Sequence, residues 1–183
     1  RHVDFVTGLG FDAVTFDLMD DWSSAFLKVI SSQGLFGLKH VWADQVERIF
    51  NAIEGPKIVY GFSNPNASAF EAIARRNAWD ISGMICDGGP SGKLSKSMVK
   101  YFAIEKPLPS VALRMILAII TANLWSPDYP QAIGRDLAKL PKGFRILSIR
   151  GWKDPLISPE MIDLVFEGHN QIDWEKLSLP EGK

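Results

Sequence analysis

Two residues of this sequence stand where their types can do chemistry. Ser63 follows the apolar run Lys57-Ile-Val-Tyr-Gly-Phe62 and precedes Asn64-Pro-Asn66, and Ala67, Phe70, Ile73 and Ala74 then recur at helical spacing. A serine in the turn between a buried strand and a helix is presented as a nucleophile, once a base takes its proton. The same place also suits a helix N-cap, in which Ser63 or Asn64 satisfies the first free N–H groups. Asp154 lies in Gly151-Trp-Lys-Asp-Pro-Leu-Ile157, directly after the apolar run from Phe144 to Ile149. A carboxylate there can orient a histidine, or simply close a turn before Pro155.

The elements that must position these residues read as alternating strands and helices. Residues 1–8 have the character of a helix end stopped by Gly8 or Gly10, and Asp12-Ala-Val-Thr-Phe16 reads as a short strand. From Asp17 to Lys39 the chain makes a surface excursion with a small acidic cluster at Asp20, Asp21 and Trp22. A helix is predicted from about His40 to Ile53, because Trp42, Val46, Ile49, Phe50 and Ile53 share one face. After the Ser63 strand and its helix come a strand at Ile81–Cys86 and the loop Asp87-Gly-Gly-Pro-Ser-Gly92. Leu94 to Asp128 breaks the rhythm as an insertion with an apolar run from Val111 to Trp125. A helix over Pro130–Leu140, the Phe144–Ile149 strand, a helix capped by Ser158 and a last strand at Ile172–Leu179 complete the pattern.

Near-continuous apolar strands separated by helices predict an α/β domain: a mostly parallel sheet covered by helices on both faces. Within that frame the residues resemble the α/β-hydrolase superfamily. Gly61-Phe62-Ser63 at one strand end, then Asp154 at the end of a later strand with an insertion between them, follows the serine-then-acid order of that family. Pro65 stands where the family's G-x-S-x-G pattern has its second glycine, a place in the first helical turn that proline tolerates. The resemblance implies that Ser63 is the nucleophile, Asp154 the triad acid and Asn64 the residue whose backbone N–H helps bind the oxyanion. It also implies that residues 94–128 form a helical lid in a single domain spanning 1–183. The reaction implied is hydrolysis of a carboxylic ester or thioester. A binding or interaction module that keeps the fold without a working triad is the alternative.

The histidine of such a triad is expected outside this chain. His169 falls between a helix end and the last strand, at the opposite sheet edge from Ser63, and reads as a surface loop residue. His40 begins a helix after a strand's carboxyl end, where helix capping or surface exposure is the expected role; His2 is terminal. The resemblance also starts at the helix after the family's third strand, so the chain is expected to be a portion of a longer one.

Composition narrows the classes further. With 183 residues, 46% hydrophobic and 22% charged, the chain has material for one soluble globular core. The net charge of −1, with basic residues scattered along the sequence, gives no electrostatic footprint for nucleic acid or an anionic membrane. Arg114 interrupts the apolar run, which is too short for a stable membrane span. The single Cys86 forms no internal disulfide and is expected to pack in a strand. The compartment and oligomeric state stay open, the cytoplasm being slightly favoured, and the start of the chain lacks the layout of a signal peptide. Gly88-Gly-Pro-Ser-Gly92-Lys93 departs from the phosphate-loop pattern at Asp87 and Leu94, and Asp87 reads as a turn residue before it reads as a second candidate acid. No cofactor and no metal site is expected. The partner expected is a small ester or acyl substrate, for which the Leu, Ile and Met of the insertion are suited.

Overall fold

The structure, a computed structural model, describes residues 2–18 and 29–181. Helix α1 (His2–Gly8) opens the chain, and α2 (Leu38–Ala52) precedes β1 (Lys57–Phe62). There follow α3 (Asn66–Arg75), β2 (Ile81–Asp87), α4 (Leu94–Ile104), α5 (Val111–Trp125), α6 (Tyr129–Ala138), β3 (Phe144–Gly151), α7 (Pro159–Phe166) and β4 (Ile172–Leu179). The four strands form one sheet in the order β1-β2-β3-β4, and every pair is parallel. Each crossover therefore carries a helix, as parallel neighbours require.

Pleating divides the sheet residues between two environments. Met84, Cys86, Phe144 and Ile146 meet Phe50, Phe70, Ile73, Leu137, Ile162 and Phe166 in a single apolar cluster built from α2, α3, α6 and α7. Helix α3 is buried from Asn66 through Ala74, so the sequence after Ser63 is apolar or small on nearly every side. Sequence reasoning predicts helices over both faces. Among the described residues these four helices cover one, while Ile58, Tyr60, Phe62, Leu177 and Leu179 on the other are exposed.

Two expectations are corrected. Asp12–Phe16 forms no strand: all five residues are exposed and carry no ladder. Its alternation of apolar and polar side chains suits a strand, but a strand exists only when a neighbour accepts its backbone hydrogen bonds. His40, expected as a cap or surface residue, is buried at 4% exposure with Nδ1 2.7 Å from Glu71 Oε2. The helix it belongs to begins earlier, at Leu38, which carries His40 and Lys39 into the contact with α3. The acidic cluster Asp20, Asp21 and Trp22 lies outside the described residues. Ser158 does occupy the N-cap position of α7 with Pro159 in the first turn, though its hydroxyl makes no capping bond to the backbone.

The insertion is a helical hairpin, with α4 and α5 packed on one another. It is anchored to the main body at the start of α4, where Leu94 joins the core and Ser97 Oγ donates to Ser91 Oγ at 2.8 Å, and at the end of α5. The Trp125 and Trp42 rings meet edge to face at 4.8 Å, and a Cβ on Gly37 would come within 2.5 Å of the Trp125 carbonyl oxygen. Gly37 therefore allows the start of α2 and the end of α5 to touch through backbone.

Candidate active site

Ser63 emerges from β1 with φ at 56°, in the left-handed region that non-glycine residues seldom occupy. The turn holds it there. Its N–H donates to the Asp87 carbonyl at 2.8 Å, and its own carbonyl accepts from the Asn66 N–H at 3.2 Å. The side chain is left exposed at the carboxyl end of the sheet. No hydrogen bond among the described residues uses the Asn64 N–H, and Pro65 beyond it has no N–H to offer. A free donor thus sits immediately after an exposed, conformationally constrained serine.

The loop Asp87–Gly92, read from sequence as a turn and a rejected phosphate loop, is the part that frames this serine. A Cβ on Gly89 would lie 2.7 Å from both the carbonyl carbon and oxygen of Ser63, so only glycine lets the loop press against the elbow. Asn64 Oδ1 accepts from the Ser91 N–H at 3.1 Å, and Asn66 Nδ2 donates to the Gly89 carbonyl at 3.4 Å. Gly61 has a matching role beneath the turn. A Cβ there would fall 2.0 Å from Asn66 Oδ1, so the glycine makes room for the fully buried asparagine that ties elbow to loop. A sequence signal for this loop did exist in its paired glycines, but their contacts are with residues distant in the chain.

The same loop reaches Asp154 on its other side. Gly88 donates to the Ile149 carbonyl at 3.0 Å, and a Cβ on Gly88 would stand 3.7 Å from Asp154 Oδ2. Asp154 Oδ1 accepts from the Leu156 and Ile157 N–H groups at 2.7 and 3.0 Å. One carboxylate oxygen is thereby fixed by the turn, while the other faces the loop that cradles Ser63. Ser63 and Asp154 are far apart in sequence and flank adjacent glycines of one loop.

Other candidates are committed elsewhere. Asp87 Oδ2 accepts from the Tyr60 hydroxyl at 2.8 Å; burial and this neighbouring carboxylate both push the phenol's pKa upward. Cys86 is fully buried and its thiol pKa is raised by that burial, as expected for a packing residue. His40 is bonded to Glu71, and His169 Nδ1 lies 3.5 Å from Gln171 Nε2; neither is hydrogen bonded to Ser63 or Asp154. Among the described residues there is no group of three His, Cys, Asp or Glu able to hold a metal ion. Two cavities of about 230 Å³ lie away from Ser63, one between α4 and the α5–α6 turn, the other among Gln33, His40, Glu71 and Asp136.

The second cavity adjoins a buried ionic cluster that sequence reasoning missed. Lys39, with no exposed surface, places Nζ 2.5 Å from Glu71 Oε2 and 2.7 Å from Asp136 Oδ2. Arg75 bridges Glu71 and Asp44 at 2.6 and 2.5 Å. Burial raises the pKa of the Glu71 carboxyl, but His40 and Lys39 outweigh it and bring the value down to about 2. Asp136 shares the same lysine and moves the other way. Its own burial dominates, with repulsion from Glu71 added, because Glu71 commands more of the available positive charge.

Comparison with solved structures decides what this architecture is. The chain superimposes on an esterase from Pyrococcus furiosus with a TM-score of 0.56 at 17% identity, covering 98% of this chain and 65% of that one. It also matches alpha/beta hydrolase domain-containing protein 10 from mouse, with a TM-score of 0.51 at 16% identity over 79% of this chain and 60% of the other. The fold is that of an α/β-hydrolase. A meta-cleavage product hydrolase from Pseudomonas fluorescens, with a TM-score of 0.51 at 16% identity, covers 77% of this α/β-hydrolase-fold chain and 62% of its own. The chain thus spans less than two thirds of the length of these structures. No protein-family model and no curated protein sequence matches it.

Proposed function

We propose that the chain carries the nucleophile side of a serine hydrolase that cleaves a carboxylic ester or thioester. The observation that carries this reading is Ser63 itself, exposed at a φ of 56° with the unused Asn64 N–H beside it. Within the turn between β1 and α3, the left-handed backbone falls on the residue whose hydroxyl is presented. Ser63 Oγ attacks the acyl carbon while its proton passes to a histidine supplied by polypeptide outside these 183 residues. The Asn64 N–H stabilises the oxyanion, and Asp154 Oδ2 holds the imidazole in the accepting tautomer. Collapse of the intermediate breaks the bond to the alcohol or thiol, which leaves with the imidazolium proton. Water then attacks the acyl-serine by the same route in reverse. The α4–α5 hairpin serves as the lid over the acyl portion of the substrate.

The test is intact mass of the longest natural form of the chain after exposure to a fluorophosphonate. A single adduct that disappears in Ser63→Ala is the expected result. A folded protein that takes up no adduct overturns it and leaves the second reading, a non-catalytic binding module of the same fold. One observation favours that alternative: neither His40 nor His169 is bonded to Ser63 or Asp154.

A further inference from the structure

Asn66 opens α3 fully buried, yet its side-chain Oδ1 finds no hydrogen-bond partner among the described residues. A buried carbonyl left unpaired destabilises the fold, a cost that an apolar side chain of similar size avoids. Folding stability alone does not account for an asparagine there.

The other half of the amide reaches across to a remote loop. Nδ2 donates to the Gly89 carbonyl at 3.4 Å, while the backbone N–H of the same residue donates to the Ser63 carbonyl at 3.2 Å. One residue thus holds both the elbow and the loop that presses on it. Gly89 stands so close that a Cβ there would lie 2.9 Å from Ser63 Cα, and one on the adjoining Gly88 would lie 3.7 Å from Asp154 Oδ2. Further along, the Ser91 N–H donates to Asn64 Oδ1 at 3.1 Å and pins the end of the loop to the same turn. Any shift of this loop changes where Ser63 stands relative to Asp154. Gly61 completes the arrangement, because a Cβ on it would meet Asn66 Oδ1 at 2.0 Å. The glycine is required there by the volume of the amide.

We infer that Asn66 is a positioning residue of the serine site: its amide fixes the Gly88–Gly89 loop against the elbow and so sets the register between Ser63 and Asp154. The inference rests on the reading of Ser63 as a nucleophile. Asn66 itself touches no reacting atom and acts through the Gly89 backbone. Gly61 belongs to the same device, since a methyl group at that position drives the amide away from Gly89 without deleting it.

The test is the rate at which a fluorophosphonate labels the longest natural form of the chain, followed by intact mass over a range of reagent concentrations. This yields the maximal rate, kinact, separately from the half-saturating concentration, KI. Asn66→Ala and Gly61→Ala are each expected to lower kinact about 10²-fold with KI unchanged, the order of loss that a small misplacement of reacting groups brings. Both changes remove one and the same contact, so the double variant is expected to lose about 10²-fold again in total, not about 10⁴-fold. It is also expected to melt above Gly61→Ala, because the methyl group then fills space that the amide has left. An asparagine that served folding alone would lower the melting temperature and the fraction labelled while leaving kinact of the folded protein unchanged. That result overturns the inference, as do losses in kinact that multiply in the double variant. If Asn66→Ala does not fold, Gly61→Ala, which keeps the asparagine, decides between the same two results for kinact. A wild-type protein inert to the reagent is a separate failure, which removes Ser63 as the nucleophile and this inference with it.

Discussion

Asp154 has a structural role that can be separated from the chemical role proposed for it. Oδ1 closes a turn by accepting from two backbone N–H groups, and that acceptor survives in Asp154→Asn through the amide oxygen. The negative charge on the other oxygen does not survive. The substitution is therefore expected to leave the melting temperature nearly unchanged while lowering kcat about 10⁴-fold, as loss of a charge that orients a catalytic histidine does. Steady-state kinetics beside a thermal melt checks this. An asparagine variant of full activity would reduce Asp154 to a turn residue.

Among the elements, α2, α3 and α6 are joined by charge as well as by apolar contact. Glu71 has its carboxyl at about 2 in the folded protein, below an unfolded glutamate at ~4.3. A lowered folded value stabilises above the unfolded value, and that contribution disappears as pH falls from about 4.3 toward 2. Its size is on the order of 3 kcal/mol, partly offset by Asp136, whose raised carboxyl has the opposite sign. Melting temperature is thus expected to fall steeply across that acid window, and Glu71→Gln to flatten the slope after lowering stability at neutral pH. A slope unchanged by the substitution would remove Glu71 as its source. Lys39→Met leaves Glu71 and Asp136 facing each other without their shared cation, a loss expected to cost about 3–5 kcal/mol in denaturant unfolding.

For the whole molecule, the asymmetry of the sheet matters most. One face is sealed by α2, α3, α6 and α7, while Ile58 is 56% exposed, Leu177 44% and Leu179 41% on the other. An open apolar sheet face of this kind favours association. The 183-residue chain on its own is expected to scatter light increasingly with concentration, and Ile58→Lys with Leu177→Lys to suppress that scattering without lowering the melting temperature. Scattering that persists in the double variant would place the sticky surface elsewhere.

How much of this was legible beforehand follows the range of the interactions involved. The strand of Lys57–Phe62, its elbow at Ser63 and the helix after it depend on neighbours a few residues away, and periodicity with β-branched and aromatic residues specifies them. The last strand, Ile172–Leu179, was readable for the same reason. Asp12–Phe16 was not, because its alternation is a local property and a strand is a paired one. The burial of Lys39 and His40 was equally hidden, since Glu71 and Asp136 reach them only when α2, α3 and α6 pack. The Gly88–Gly89 turn could be read as a turn, yet its bearing on Ser63 and Asp154 is a backbone approach between remote segments. Sequence by itself determined the alternation of elements and the serine in the turn between two of them. Tertiary structure decided which charges are buried, which apolar faces stay open and which loop brings serine and aspartate to one place, because each of these depends on contacts that no local pattern encodes.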